Sequence, residues 1–138
     1  MPAFHLAFPV HNIEAARRFY VDELGCSVGR EAERWIDFDL RGHQLSAHLV
    51  DGLQRIQMPT NEVDGDGIPV RHFGLILPWE EWQETSRVWT ERCVRFLVAP
   101  RIRFAGQVGE QATLFVEDPS GNAIELKSFK DPTRVFAR

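Results

Sequence analysis

Five histidines (His5, His11, His43, His48 and His72) and one carboxylate set in an apolar run, Glu125, are the side chains here whose types suit metal or acid–base chemistry. Imidazole ligates Fe, Zn, Ni, Cu and Co, and a carboxylate adds charge and hard-oxygen character. Glu125 lies between Ile124 and Leu126 in NAIELKSF. If that run is a strand, the carboxylate faces the side opposite its apolar neighbours. A carboxylate turned inward needs a partner or a metal. Lys127, two residues on and on the same face, is the plain alternative partner. Taken singly, each histidine reads as a hydrogen-bonded core or surface residue, so placement has to decide.

Placement comes from an internal repeat. Setting the stretch from His5 against the stretch from His72 aligns His5 with His72, Glu14 with Glu81, Val21 with Val88 and Cys26 with Cys93. The order of elements repeats as well. FHLAFPV (4–10) reads as a strand, Asn12 as a helix cap, and Ile13, Ala16, Tyr20 and Leu24 as a helical stripe closed by Gly25. WIDFDL (35–40) and HQLSAHLV (43–50) read as strands. Residues 51–71, rich in Gly, Pro, Asp and Asn, read as a connection. The second module, 72–129, opens with HFGLIL. Pro78 then starts a helix with Trp79, Trp82, Ser86, Trp89 and Cys93 on one stripe, read as core packing. VRFLVAP (94–100), QATLFVED (111–118) and NAIELKSF (122–129) follow as strands, with DPSG as a turn, and residues 130–138 form a tail.

Each half is therefore βαβββ: module one is 1–50 and module two 72–129 of a single domain, 1–138. The fold class is α+β. Two such sheets facing each other would make a cupped, barrel-like mixed sheet. First-strand His5 and His72 and last-strand His48 and Glu125 would then converge under a pseudo-two-fold, and two or three imidazoles with a carboxylate suit a divalent first-row metal. His43 has the opposite strand parity to His48, and His11 sits at the helix entrance. Cys26 and Cys93 follow the two helices and read as packing residues.

Composition narrows the partners. A net charge of −4 and 43% hydrophobic residues are those of an ordinary globular protein and argue against nucleic acid. No apolar run is long enough to span a membrane, and MPAFHLAF lacks the basic and apolar regions of a secretory signal. A cytoplasmic location is expected.

FHLAFPVHNIEAARRFYVDELGC (4–26), GHQLSAHLV (42–50), HFGLILP (72–78) and, most specific, the DPSGNAIELK turn and strand (118–127) carry a resemblance covering nearly the whole chain. The chain resembles the vicinal oxygen chelate superfamily, which includes glyoxalase I, bleomycin- and fosfomycin-resistance proteins and extradiol dioxygenases. With GHQLSAH and RFAGQVGEQATLF (103–115), it looks most like small bacterial proteins described as extradiol-type dioxygenases. The resemblance implies the glyoxalase/bleomycin resistance/dihydroxybiphenyl dioxygenase fold and puts the metal on His5, His72 and Glu125. His48 is the nearest match to a fourth position, as ligand or as acid/base. Two-module members often pair, so a homodimer is expected.

Two histidines and one carboxylate match the facial arrangement of non-haem Fe(II) oxygenases, so Fe(II) is favoured, with Zn, Mn, Ni or Co as alternatives. The expected function is a dioxygenase acting on a small vicinal-diol or catechol-like substrate that chelates the metal. A glyoxalase-like lyase or isomerase using a Lewis-acid metal is the second reading, and a ligand-sequestering resistance protein without chemistry the third. His48 would take the substrate proton. Arg103, flanked by Ile102 and Phe104 between two strands, would fork onto a substrate carboxylate. Tyr20, the single tyrosine, reads as a core residue and not as the tyrosine that extradiol enzymes position.

Overall fold

The computed structural model describes residues 1–138. Apolar alternation builds the first sheet. β1 (His5–Val10) buries Phe8 and Val10 and turns His5, Ala7 and Pro9 to the other face. Asn12 caps α1 (Ile13–Arg17) by accepting the Ala15 N–H at 2.9 Å. The helix then widens into a π-helical turn, Arg18–Glu23, which ends before Gly25 at φ 79°, the left-handed exit that glycine adopts freely. β2 (Ser27–Ala32), β3 (Trp35–Leu40) and β4 (His43–Leu49) complete a sheet in the order β1-β4-β3-β2, with β1 parallel to β4. Pro9 is tolerated because β1 is an edge strand.

Residues 51–71, expected as plain connection, contain a hairpin. β5 (Thr60–Val63) and β6 (Asp66–Pro69) enclose a two-residue turn, Asp64-Gly65, at φ 49° and 86°. Both positive angles are what a type I′ hairpin turn requires, and Asp-Gly supplies them.

The second sheet repeats the topology of the first. β7 (Phe73–Ile76), α2 (Trp79–Glu91), β8 (Val98–Arg103), β9 (Gln111–Glu117) and β10 (Ala123–Phe129) give the order β7-β10-β9-β8, with β7 parallel to β10. Trp82 and Trp89 are buried, and the Trp82 indole N–H donates to the Leu126 carbonyl at 2.9 Å. β8 starts later than the apolar run at 94–100 suggests. The chain leaves α2 through Cys93 at φ 57°, and Val98 is the first residue to pair, opposite Phe115. Cys26 is buried, as expected of a packing residue, whereas Cys93 is exposed. Burial pushes the Cys26 thiol up to about 11, helped by Asp39.

The chain divides into two compact units. Unit 1 is Met1–Gln57 with Asp118–Asn122, and unit 2 is Met58–Glu117 with Ala123–Arg138. The turn between β9 and β10 thus belongs to unit 1. Asp118 is its centre: its carboxylate accepts from the Ser120 and Asn122 backbone N–H groups, from the Asn122 amide and from the Tyr20 hydroxyl, all at 2.8–2.9 Å. The Asn122 amide also donates to the Pro9 carbonyl at 2.9 Å. Tyr20 is fully buried, and burial, with the Asp118 charge and hydrogen bond adding, holds its pKa well above the usual phenol range. No helix is long and apolar enough to cross a membrane.

Candidate metal centre

Strand register in unit 2 brings His72 and Glu125 together. Glu125 pairs with Gly74 across the parallel β7–β10 ladder, and His72 lies two residues before Gly74. The imidazole Nε2 stands 3.3 Å from Glu125 Oε1. Gly74 makes the approach of the strands possible, since a Cβ there would collide with the Glu125 carbonyl. Both side chains line an open cleft of about 240 Å³ with Phe73, Gly74, Leu75, Ile76 and Lys127.

Neighbouring groups fix each donor. The His72 Nδ1 lies 2.6 Å from the Pro69 carbonyl, and a carbonyl only accepts, so Nδ1 carries the proton. Nε2 is then the ring nitrogen that faces Glu125. The His72 ring also meets Phe115 edge-on, with centroids 4.9 Å apart. Glu125 Oε2 accepts from the fully buried Thr113 hydroxyl at 2.6 Å. Glu125 raises the His72 pKa, with Pro69 assisting and burial opposing. For Glu125, burial is the largest influence and pushes its pKa up. The His72 and Thr113 hydrogen bonds and the Lys127 charge together outweigh it, and the pKa is lowered.

This arrangement fits a divalent cation. An imidazole lone pair and a carboxylate oxygen facing each other repel unless a proton or a metal lies between them. Donors on one cation with bonds of about 2.1 Å sit roughly 3.0–3.4 Å apart, the spacing found here. A backbone carbonyl on the far ring nitrogen and a hydroxyl on the far carboxylate oxygen are the outer contacts that orient metal ligands. Neither unit by itself gathers three His, Cys, Asp or Glu donors.

The other expected residues lie elsewhere. His5 is exposed on β1 of unit 1, beside Gln44 in the register. His48 faces the same side of that sheet but pairs with Pro9, four residues further along the strand, or about 13 Å away. His43 Nδ1 accepts the Phe4 N–H at 3.0 Å, and His11 Nδ1 lies 2.7 Å from the Ser120 hydroxyl. The Arg103 fork, expected to reach a substrate carboxylate, is taken up by the protein itself. Its side chain is 4% exposed and donates to the Val63 carbonyl at 2.6 Å and to Asp66 at 2.8 Å. Arg101 reaches Asp64 and Asp66 at 2.8 and 2.9 Å. The two arginines fasten the β5–β6 hairpin, whose Ile68 and Val63 pack on Val98 and Phe115. Phe115 pairs with Glu125, so the hairpin covers part of the face on which Glu125 stands.

Thr113, Gly74, Phe115 and the Pro69 carbonyl are parts of this centre that sequence reasoning did not single out. Thr113 and Phe115 alternate with the core residues of QATLFVED, which marks their face, but their match to Glu125 depends on a register the sequence does not print.

Two βαβββ sheets with a His–carboxylate pair at one ladder define a class of small α+β proteins. A family model described as Glyoxalase/Bleomycin resistance protein/Dioxygenase superfamily matches residues 3–126, and the chain belongs to that superfamily. A glyoxalase/bleomycin resistance protein/dioxygenase from Alicyclobacillus acidocaldarius is 32% identical, with a TM-score of 0.78 over 98% of this chain and 96% of that one. The fosfomycin resistance protein FosX of Listeria monocytogenes shares the fold at 16% identity (TM-score 0.69, 98% of each chain). Lactoylglutathione lyase of Agrobacterium tumefaciens shares it at 14% (TM-score 0.64, 99% of this chain and 97% of that one). No curated protein matches the chain in sequence.

Proposed function

We propose that this chain is a divalent-metal-dependent enzyme that acts on a small substrate bearing two neighbouring oxygens. One observation carries the reading: the Nε2 of His72 and the Glu125 carboxylate stand 3.3 Å apart in an open cleft, each oriented from behind. His72 and Glu125 hold the metal, and His5 is the third ligand, from the same chain or from a second copy in a homodimer. The bound metal supplies Lewis acidity toward a chelating substrate and, as Fe(II), dioxygen chemistry. A dioxygenase on a catechol-like substrate or vicinal diol is the first reading.

A glyoxalase-like lyase or isomerase is the second reading, and the Tyr20 geometry favours it. The single phenol is sealed in unit 1 against Asp118 and is not free to serve a dioxygenase reaction. His48, exposed at the far end of β4, remains an acid/base candidate only for an assembly in which another element brings substrate to it.

Metal content of protein purified without chelator tests the reading, against a His72→Ala/Glu125→Gln variant. About one iron per chain, lost in the variant, together with oxygen uptake on catechols, supports the dioxygenase. Zinc, nickel, cobalt or manganese lost in the variant, with no oxygen uptake, supports the lyase or isomerase. No metal in either protein and none taken up on reconstitution overturns both and leaves a ligand-sequestering protein. Mixing His5→Ala with Glu125→Gln chains locates His5: recovery of some metal sites on mixing means that partner copies share a site.

A further inference from the structure

The metal reading leaves one charged group in the cleft without a task. Lys127 lines the same cavity, with its ammonium 3.7 Å from Glu125 Oε1, beyond hydrogen-bond distance. It assists Glu125 by its charge alone, because Thr113 satisfies Oε2 and His72 faces Oε1. The three N–H donors of Lys127 make no hydrogen bond to the protein, and the side chain is 32% exposed, so they point where a ligand can reach them. Lys127 pairs in the ladder with Ile76, which is 54% exposed and gives the ammonium an apolar neighbour.

Charge then selects the ligand. Once a divalent cation engages the Glu125 carboxylate, Lys127 is an added positive charge beside a site that is already positive. A neutral chelator leaves that ammonium partly desolvated and unpaired, whereas an anionic one pairs it. The cleft offers a single ammonium and no guanidinium, since Arg101 and Arg103 are held by Asp64 and Asp66. A lone ammonium acts as a point charge and suits a monoanion, while bidentate oxyanions favour arginine.

We propose that Lys127 makes this cleft selective for substrates that carry a carboxylate on the same skeleton as their two chelating oxygens. The inference rests on the metal reading and adds the substrate class to it. The test uses zinc-loaded full-length protein, so that no turnover is needed. Binding of 3,4-dihydroxybenzoate and of its neutral amide, 3,4-dihydroxybenzamide, is compared by calorimetry in the wild type and in Lys127→Met, Lys127→Gln and Lys127→Arg. The expected result is that the wild type prefers the carboxylate by roughly tenfold, the size of one charge-assisted hydrogen bond. Lys127→Met and Lys127→Gln lose that preference while keeping their zinc, Lys127→Arg keeps most of it, and added salt weakens it in the wild type. Equal binding of the two probes by zinc-loaded wild type, or an unchanged preference in the Met and Gln variants, overturns the proposal and leaves the metal reading standing. Failure of the wild type to take up zinc or any other divalent metal overturns both.

Discussion

The two units place different chemistry at the same point of one topology. In unit 1, β1 and β4 run parallel with Ala7 opposite Ser46; in unit 2, β7 and β10 run parallel with Gly74 opposite Glu125. A histidine stands two residues before each first-strand partner, His5 in one and His72 in the other. Unit 1 thus has a hydroxyl where unit 2 has a carboxylate. Ser46 donates to Asp37 on the neighbouring strand at 2.6 Å, whereas Glu125 accepts from Thr113 on its neighbouring strand at the same distance. Asp37 also accepts from Gln44 at 3.3 Å, so the acid of unit 1 is engaged within its own sheet. Only unit 2 carries a hairpin leading into its first strand, and that hairpin supplies the carbonyl that orients His72. The difference shows that the repeated topology supplies the positions, while the side-chain type and its supporting contacts give each copy its own chemistry there.

This contrast can be broken at several points. The largest effect is expected in unit 1 and concerns stability. Asp118→Ala strands buried donors from Tyr20, Ser120 and Asn122, and should cost about 3–5 kcal/mol in urea unfolding. A loss below 1 kcal/mol would show that the turn is not what closes unit 1. Next, Glu125→Ser gives unit 2 the residue found in unit 1. Zinc affinity, read by competition with a chromophoric chelator, should fall by at least roughly 100-fold with the fold retained in circular dichroism. Thr113→Val removes the contact behind Glu125 and should weaken zinc by about 10-fold, with the metal stoichiometry unchanged. The smallest effect separates the helix exits. Unit 1 leaves its helix through Gly25 and unit 2 through Cys93 at φ 57°, so Cys93→Gly should raise stability by up to about 1 kcal/mol in thermal and urea unfolding. A neutral or negative change would mean that the Cys93 side chain gains more from its surroundings than the left-handed backbone costs.

Much of this architecture is legible in the sequence because period-2 alternation is strong. WIDFDL, QATLFVED and NAIELKSF mark β3, β9 and β10 to within a residue or two. The β5–β6 hairpin was not read, although Asp64-Gly65 carried its signal. Its strands are four residues each, and TNEV and DGIP lack the apolar alternation that would have marked them. β2, exposed along its whole length, gives no pattern for the same reason. At the candidate site, His72 and Glu125 were marked by the repeat and the family motif, and the structure sets them side by side. Arg103 is engaged inside the protein for a physical reason. Its apolar neighbours suggested a strand face, but its partner Asp66 lies in the unrecognised hairpin. The π-helical turn that follows α1 is equally hidden, since one helical stripe over residues 13–24 does not reveal a change of hydrogen-bond register.

Asp118–Asn122 completes unit 1 although 60 residues of unit 2, Met58–Glu117, precede it in the chain. On the ribosome, the amino-terminal unit therefore cannot finish when its own strands have emerged. Tyr20 waits for Asp118, 98 residues later, and Pro9 for Asn122, 113 residues later. Domains that are contiguous in sequence fold one after another during synthesis, whereas late closure of this kind ties the first unit to the arrival of the second. A nascent chain stalled before Asp118 leaves the exit tunnel should keep its first unit protease-sensitive, and release of the next few residues should seal it.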